Sequence, residues 1–104
     1  MPQMKRVISV HISSFQEMMK QLYFQRDSKR GLKGTYEWLL DEIEELGEAL
    51  DASDKEATEK EFADVIAWLA SLANIIGIDL ENAAIKKYNG KCPKCNHSPC
   101  RCKF

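Results

Sequence analysis

No apolar run in this chain approaches the ~20 residues that a membrane-spanning helix needs, so no membrane partner is expected. The opening residues, "MPQMKRVISVHISS", carry basic side chains but neither a long apolar core nor a small-residue cleavage site, so no secretory leader is expected and the chain reads as cytoplasmic. An excess of charge of one sign is missing too: 15 Lys and Arg face 16 Asp and Glu. That balance argues against a general nucleic-acid or membrane-surface binder. Internal repeats and low-complexity segments are also absent. What remains is a single domain of 104 residues, small enough that a homo-oligomer extending its core is expected.

The charge that is present is unevenly placed. Eleven of the 16 acids lie between Asp41 and Asp64, with only Lys55 and Lys60 among them. An acidic centre with basic flanks implies a cation site with Lys and Arg available for an anionic ligand. Four cysteines sit together near the C-terminus, and in a cytoplasmic protein such a cluster points to metal before disulfides.

The hydrophobic pattern is helical almost throughout. Residues 7–12 alternate apolar and polar and are compatible with an extended segment. A first helix is expected from Ser13 or Ser14, which have Gln16 and Glu17 at capping-box spacing. "RDSKRGLKG" should break it, with Gly31 and Gly34 as punctuation. A second helix is expected from about Thr35 to Asp51, and a third from an N-cap at Ser53 to about Ile76. Gly77 then suits the residue after a helix end, and Asp79 caps a short fourth helix. The expected architecture is all-α: a helical hairpin plus two flanking helices, four-helix-bundle-like and completed by oligomerisation. The domain would occupy residues 1–90, with a short Cys-rich tail over 91–104.

Helical geometry separates the acids into two kinds. In "LLDEIEELGEAL", Leu39, Ile43, Leu46 and Leu50 fall within roughly 60° of one another at ~100° per residue, as a core stripe. Asp41, Glu44 and Glu48 fall on the far side and read as solvated. Glu42 and Glu45 lie three apart on one edge of the stripe. In "EKEFADVIAWL" the stripe is Phe62, Val65, Ile66 and Leu69, continuing to Leu72, Ala73 and Ile76, and Glu61 and Asp64 lie three apart on its same-handed edge. A short linker makes the two helices an antiparallel hairpin. Same-handed edges of antiparallel helices emerge on one side. Counted from Ala52, Glu42 and Glu45 are ten and seven residues back, and Glu61 and Asp64 are nine and twelve forward. Four carboxylates should therefore converge, and a divalent cation would relieve their repulsion. All-oxygen ligation favours Mg²⁺ or Mn²⁺ over zinc. Neither pair has the Glu-x-x-His form of di-iron bundles, which counts against iron. The plainer alternative is border acids paired with lysines.

These residues resemble the signature of MazG-type nucleotide pyrophosphohydrolases, in the all-α NTP pyrophosphatase superfamily. That pattern is two adjacent acids, two spacers and Glu, then Glu-x-x-Asp after a gap. Here it reads Asp41-Glu42-x-x-Glu45 and Glu61-x-x-Asp64, with Asp41 standing where the pattern has Glu. "LASLANIIGIDLENAAIKKY" and "RDSKRG" are also similar to small members, so the resemblance spans roughly residues 14–89. It implies Mg²⁺-dependent (or Mn²⁺-dependent) hydrolysis of an NTP or dNTP to the monophosphate and pyrophosphate, a nucleotide-pool house-cleaning reaction. Glu42, Glu45, Glu61 and Asp64 would be the metal ligands, with Glu45 a candidate to orient the water. Lys87 and Arg30 would contact substrate, with Lys33 and Lys86 as weaker candidates. Trp68 and Trp38 share the acid-bearing edges and are candidates for the base-binding wall. The resemblance also implies a homodimer or homotetramer.

In "CPKCNHSPCRC", Cys92, Cys95, Cys100 and Cys102 could hold a structural Zn²⁺, with His97 able to replace one thiolate. The alternative is a tail of free thiols or disulfides. Two competing functions stay open: a phosphoribosyl-ATP pyrophosphohydrolase, and a non-enzymatic helical adaptor bearing a zinc knuckle.

Overall fold

The structure, a computed structural model, describes residues 10–103. They form three α-helices: α1 (Ile12–Asp51), α2 (Lys55–Ile76) and α3 (Leu80–Lys87). No strand is present among the described residues, and the fold is all-α. Most of the extended segment expected at 7–12 lies outside the described residues, and Ile12 itself opens α1.

A straight helix the length of α1 would measure about 60 Å, yet the longest dimension of the molecule is 46 Å. The bend is at Gly31, the one residue inside α1 with non-helical backbone (φ 89°, ψ 170°), a conformation essentially reserved for glycine. The broad break expected over residues 26–34 is thereby corrected to a single residue. Gly34 is helical, and its lack of a side chain serves a different end. A Cβ there would stand 3.0 Å from Cγ of Arg30, so the glycine leaves room for the arginine stem. With α1 divided into arms 12–30 and 32–51, the chain has the four rods expected.

The helix ends show which local signals were decisive. Asp54, not Ser53, caps α2: its carboxylate accepts from the Ala57 N–H at 3.1 Å. Ser53 is in the left-handed region (φ 56°), and its N–H bonds the Leu50 carbonyl to close α1. That conformation moves the capping position one residue on. Gly77 is left-handed (φ 71°) after α2, and Asp79 accepts from the Asn82 N–H at the start of α3, both as expected. The expected capping box at Ser13 or Ser14 is absent. The residue before α1 is His11, with no side-chain cap. The free Ser13 N–H is satisfied instead by Oε1 of Glu81 on α3, at 3.0 Å. Gln16, expected to reach back to Ser13, turns to the far end of α2. Its amide donates to Asn74 Oδ1 and the Ile78 carbonyl and accepts from the Leu80 N–H, while Asn74 donates back to the Gln16 carbonyl. A buried amide is stable when each of its groups has a partner, and here the tertiary partners outcompete the local one.

Both arms of α1 run antiparallel to α2. Gln16 meets Asn74, Arg30 and Trp38 both meet Trp68, and Glu42 meets Glu61. At the kink the pairing shifts, so that Arg30 and Trp38, on either side of Gly31, face the same residue of α2. The buried apolar side chains are Met19, Leu39, Ala70 and Ala73, the two alanines permitting close approach of the helices. Ile43, Leu50, Phe62, Ile66, Leu69 and Ile76, all expected in core stripes, are 41–57% exposed in the single chain. A helix pair covers only the strip along its contact line, and each stripe here is wider than that strip.

Gly31→Ala should lower stability by about 1–3 kcal/mol through backbone strain alone, because the added Cβ meets no atom within 4 Å. Urea denaturation of wild type and variant measures the loss.

Candidate functional site

The paired acidic edges meet as the helical geometry requires. Glu42 and Glu45 on α1 and Glu61 on α2 each place a carboxylate oxygen within 4.8 Å of the other two. Asp64 stands outside that set, and the register explains why. At twelve residues from the turn it lies beyond Glu42, at ten, and farther still from Glu45, at seven. Its charge is still felt at both Glu42 and Glu45. Asp41, Glu44 and Glu48 are exposed, as their place on the helix predicts.

The cluster is electrostatically unsatisfied. Oε1 of Glu42 and Oε1 of Glu61 are buried with no hydrogen-bond partner. Burial, and then the charges of Glu45 and Asp64 and the side chain of Glu61, push the Glu42 carboxyl from 4.5 up to about 7. Glu45 is also raised, first by loss of solvation and then by Glu61, Glu48, Asp41 and Asp64. Among the described residues the one ion pair is Arg30–Asp27, so no lysine or arginine neutralises these acids. The lysine-paired alternative is therefore not what the structure contains. Orphaned carboxylate oxygens converging from two helices fit a hard divalent cation, and a donor set of oxygen alone suits Mg²⁺ or Mn²⁺.

Beside the cluster lies a cavity of about 270 Å³, lined among others by Tyr23, Arg26, Asp27, Arg30, Asp64 and Trp68. That volume is at the small end for ligand sites and matches one ring system better than a whole nucleotide. Asp64 borders both the cavity and the acidic cluster. The Trp68 ring stacks on Trp38 (5.5 Å between centroids, 11° between planes), and the Arg30 guanidinium lies 4.8 Å from its centre. Asp27 is almost fully buried, and its Oδ1 accepts from both terminal nitrogens of Arg30, at 3.0 and 2.8 Å. Arg30 thus reaches the expected region, but with its charge already matched and its plane held between Asp27 and Trp68.

Lys87 ends α3, exposed, with its ammonium 5.8 Å from the centre of the adjacent Tyr88 ring. Lys33 and Lys86 are exposed. The four cysteine sulfurs lie within 4.8 Å of one another without His97. The backbone N–H groups of Cys95 and Lys94 hold the Cys92 thiol down to about 6, whereas hydrogen bonds with the sulfurs of Cys100 and Cys92 push Cys102 up to about 12.

Arg26 and Asp27 fall in the stretch 26–34 that the sequence pattern marks as a break, which hides them as site residues, and Tyr23 reads as an ordinary packing residue of the first helix. Read as helix, Asp27 and Arg30 stand at i and i+3 on one face, the one local signal that would have paired them.

A carboxyl whose folded-state value is raised holds its proton more tightly folded than unfolded, so its contribution to stability is lost as pH rises. For Glu42 that window runs from 4.5 to about 7, and Glu45 acts in the same direction. Chelator-treated protein should melt at a higher temperature near pH ~5 than near pH ~8, and Glu42→Gln should flatten the difference. Thermal melts across that range, with and without Mg²⁺, measure it.

No curated protein matches the chain. A family model, that of the MazG nucleotide pyrophosphohydrolase domain, matches residues 30–96. The match takes in both acidic half-motifs, all of α2 and α3, and the arm of α1 that follows the kink. It covers well over half of the 104 residues, and the chain belongs to the MazG nucleotide pyrophosphohydrolase domain family.

Proposed function

We propose that the protein hydrolyses a nucleoside triphosphate to its monophosphate and pyrophosphate in a Mg²⁺-dependent reaction that clears unwanted nucleotides. The observation that carries this reading is the convergence of Glu42, Glu45 and Glu61, with two buried oxygens left unpartnered, at the edge of a cavity of base-like size. A triphosphate is a dense anion, and bare carboxylates would repel it. A divalent ion, when bound, neutralises charge on the phosphate oxygens and lowers the pKa of a coordinated water.

The protein's own groups divide the remaining work. Glu42 and Glu61, the more buried pair, are suited to holding the cation from the two helices. Glu45 is the exposed member of the set, so its carboxylate has access to solvent and is assigned to orient the attacking water. Water adds to the α-phosphorus in line with the bond to pyrophosphate, which breaks with its electron pair on the departing oxygen. Asp64, between cluster and cavity, adds negative charge beside the cation site on the substrate side. Trp68, stacked on Trp38 and backed by Arg30, offers a rigid wall for the base. Asp27 fixes the guanidinium plane and so the wall. Lys87 is assigned to the phosphates from the end of α3.

The open stripes on the hairpin favour assembly with a second copy, as a homodimer or homotetramer. Ile43 and Leu50 on α1 recur at heptad spacing, and Phe62, Ile66, Leu69 and Ile76 on α2 share one face; all are exposed in the single chain. A monomer would leave that apolar surface in water.

Pyrophosphate release and monophosphate formation should be seen for members of an NTP and dNTP panel, only with Mg²⁺ or Mn²⁺. Glu42→Gln and Glu61→Gln should each lower kcat/KM by about 100-fold or more, whereas Glu44→Gln on the solvated face should leave it nearly unchanged. A silent wild type, or products that are diphosphate and phosphate, would sink the proposal. Light scattering should give at least twice the 11.9 kDa chain mass, and Ile66→Asp combined with Leu69→Asp should bring it toward the monomer.

A further inference from the structure

We propose that Cys92, Cys95, Cys100 and Cys102 form a structural zinc site that organises the end of the chain independently of the acidic cluster. The geometry is that of a tetrahedral thiolate cage. Zn–S bonds of ~2.3 Å place the sulfurs of a regular tetrahedron about 3.8 Å apart. Here Cys92 and Cys102 are separated by 3.7 Å and Cys95 and Cys100 by 4.0 Å, and all four sulfurs lie within 4.8 Å of one another. A disulfide needs sulfurs at ~2.05 Å, and all four cysteines are free.

The backbone is arranged around the sulfurs. The Asn96 N–H bonds the Cys92 carbonyl at 2.8 Å, and the Cys92 N–H bonds the His97 carbonyl at 3.0 Å, closing the Cys-Pro-Lys-Cys segment into a knuckle with Asn96 left-handed (φ 62°). In the second half, the Arg101 N–H points to Sγ of Cys95 at 3.2 Å and the Cys102 N–H to Sγ of Cys100 at 3.3 Å. Such donors stabilise thiolate charge, which a metal ligand carries and a neutral thiol does not.

Two further observations point the same way. No side chain within residues 91–103 is buried, so the element has no apolar core to order it. A segment this short needs a metal or a covalent staple. Its charge also suits a tetrathiolate zinc centre, whose net charge is −2. Residues 91–104 contain Lys91, Lys94, Arg101 and Lys103 and no Asp or Glu. The family match ends at residue 96, so Cys100 and Cys102 lie beyond it. With four thiolates the coordination shell is full, and the site is structural, with no open position for substrate.

The test uses the full chain, purified without chelators or an affinity tag that binds metal. Elemental analysis should find one zinc per chain. Cobalt added after zinc removal should give the intense d–d bands of tetrahedral ligation and a thiolate-to-cobalt charge-transfer band. Cys95→Ser and Cys100→Ser should each weaken that charge-transfer band while keeping the helical circular dichroism of wild type, and Glu42→Gln should leave it at full intensity. Four titratable thiols that take up neither zinc nor cobalt would overturn the proposal. So would two disulfides in protein isolated under reducing conditions, or bound metal that disappears with Glu42→Gln rather than with Cys95→Ser. None of these readouts involves nucleotide hydrolysis, so the outcome is independent of the activity.

Discussion

Like-charge repulsion among carboxylates that two helices hold together is the constraint on which the molecule turns. Glu42, Glu45 and Glu61 are brought within a few ångströms by the α1–α2 register, and no basic side chain among the described residues relieves them. Such an arrangement opposes folding unless it is protonated or bound to a cation. Everything that keeps α1 and α2 in register therefore also maintains the strain. At the far end of α2, Gln16 and Asn74 bond reciprocally and tie in the Ile78–Leu80 turn. At the near end, Ser53 and Asp54 set a tight connection that fixes which residues face each other. The cluster is placed by a helix pair held at both ends.

The kink at Gly31 connects that frame to the cavity. A straight α1 would continue along one line past the contact with α2. Bent, it brings Arg30 and Trp38, eight residues apart and on opposite sides of the kink, to the same Trp68 ring. Asp27 then holds the guanidinium through both terminal nitrogens, and Gly34 leaves space for the arginine stem. A buried charge is tolerable only when paired, and this pair is made within one helix, before any contact with α2. The result is a stiff aromatic and cationic wall beside a carboxylate cluster, a juxtaposition suited to a ligand with a flat ring at one end and phosphates at the other.

The chain keeps two kinds of donor apart. Oxygen donors sit between α1 and α2, in an acidic stretch that suits a hard cation. Sulfur donors sit after α3, in a basic stretch that suits a soft one. Mixed sites would invite the wrong ion into each. Separation in sequence and in charge lets one short chain carry both donor sets without cross-competition.

Local pattern was sufficient for much of this. The 3.6-residue periodicity determined the helices, the glycine after α2 and the aspartate before α3 set two of their ends, and the spacing of the acids placed Glu42, Glu45 and Glu61 on facing edges. Such features depend on neighbours a few residues away, so the sequence contains them. Tertiary structure decided the rest. It selected Glu81 over a serine hydroxyl as the partner of the Ser13 N–H, turned Gln16 toward Asn74, and narrowed a nine-residue break to Gly31. It buried Asp27 and left Ile66 and Leu69 uncovered. Each of these depends on which distant surface a residue meets, and a wide apolar stripe does not say which of its sides that surface will cover.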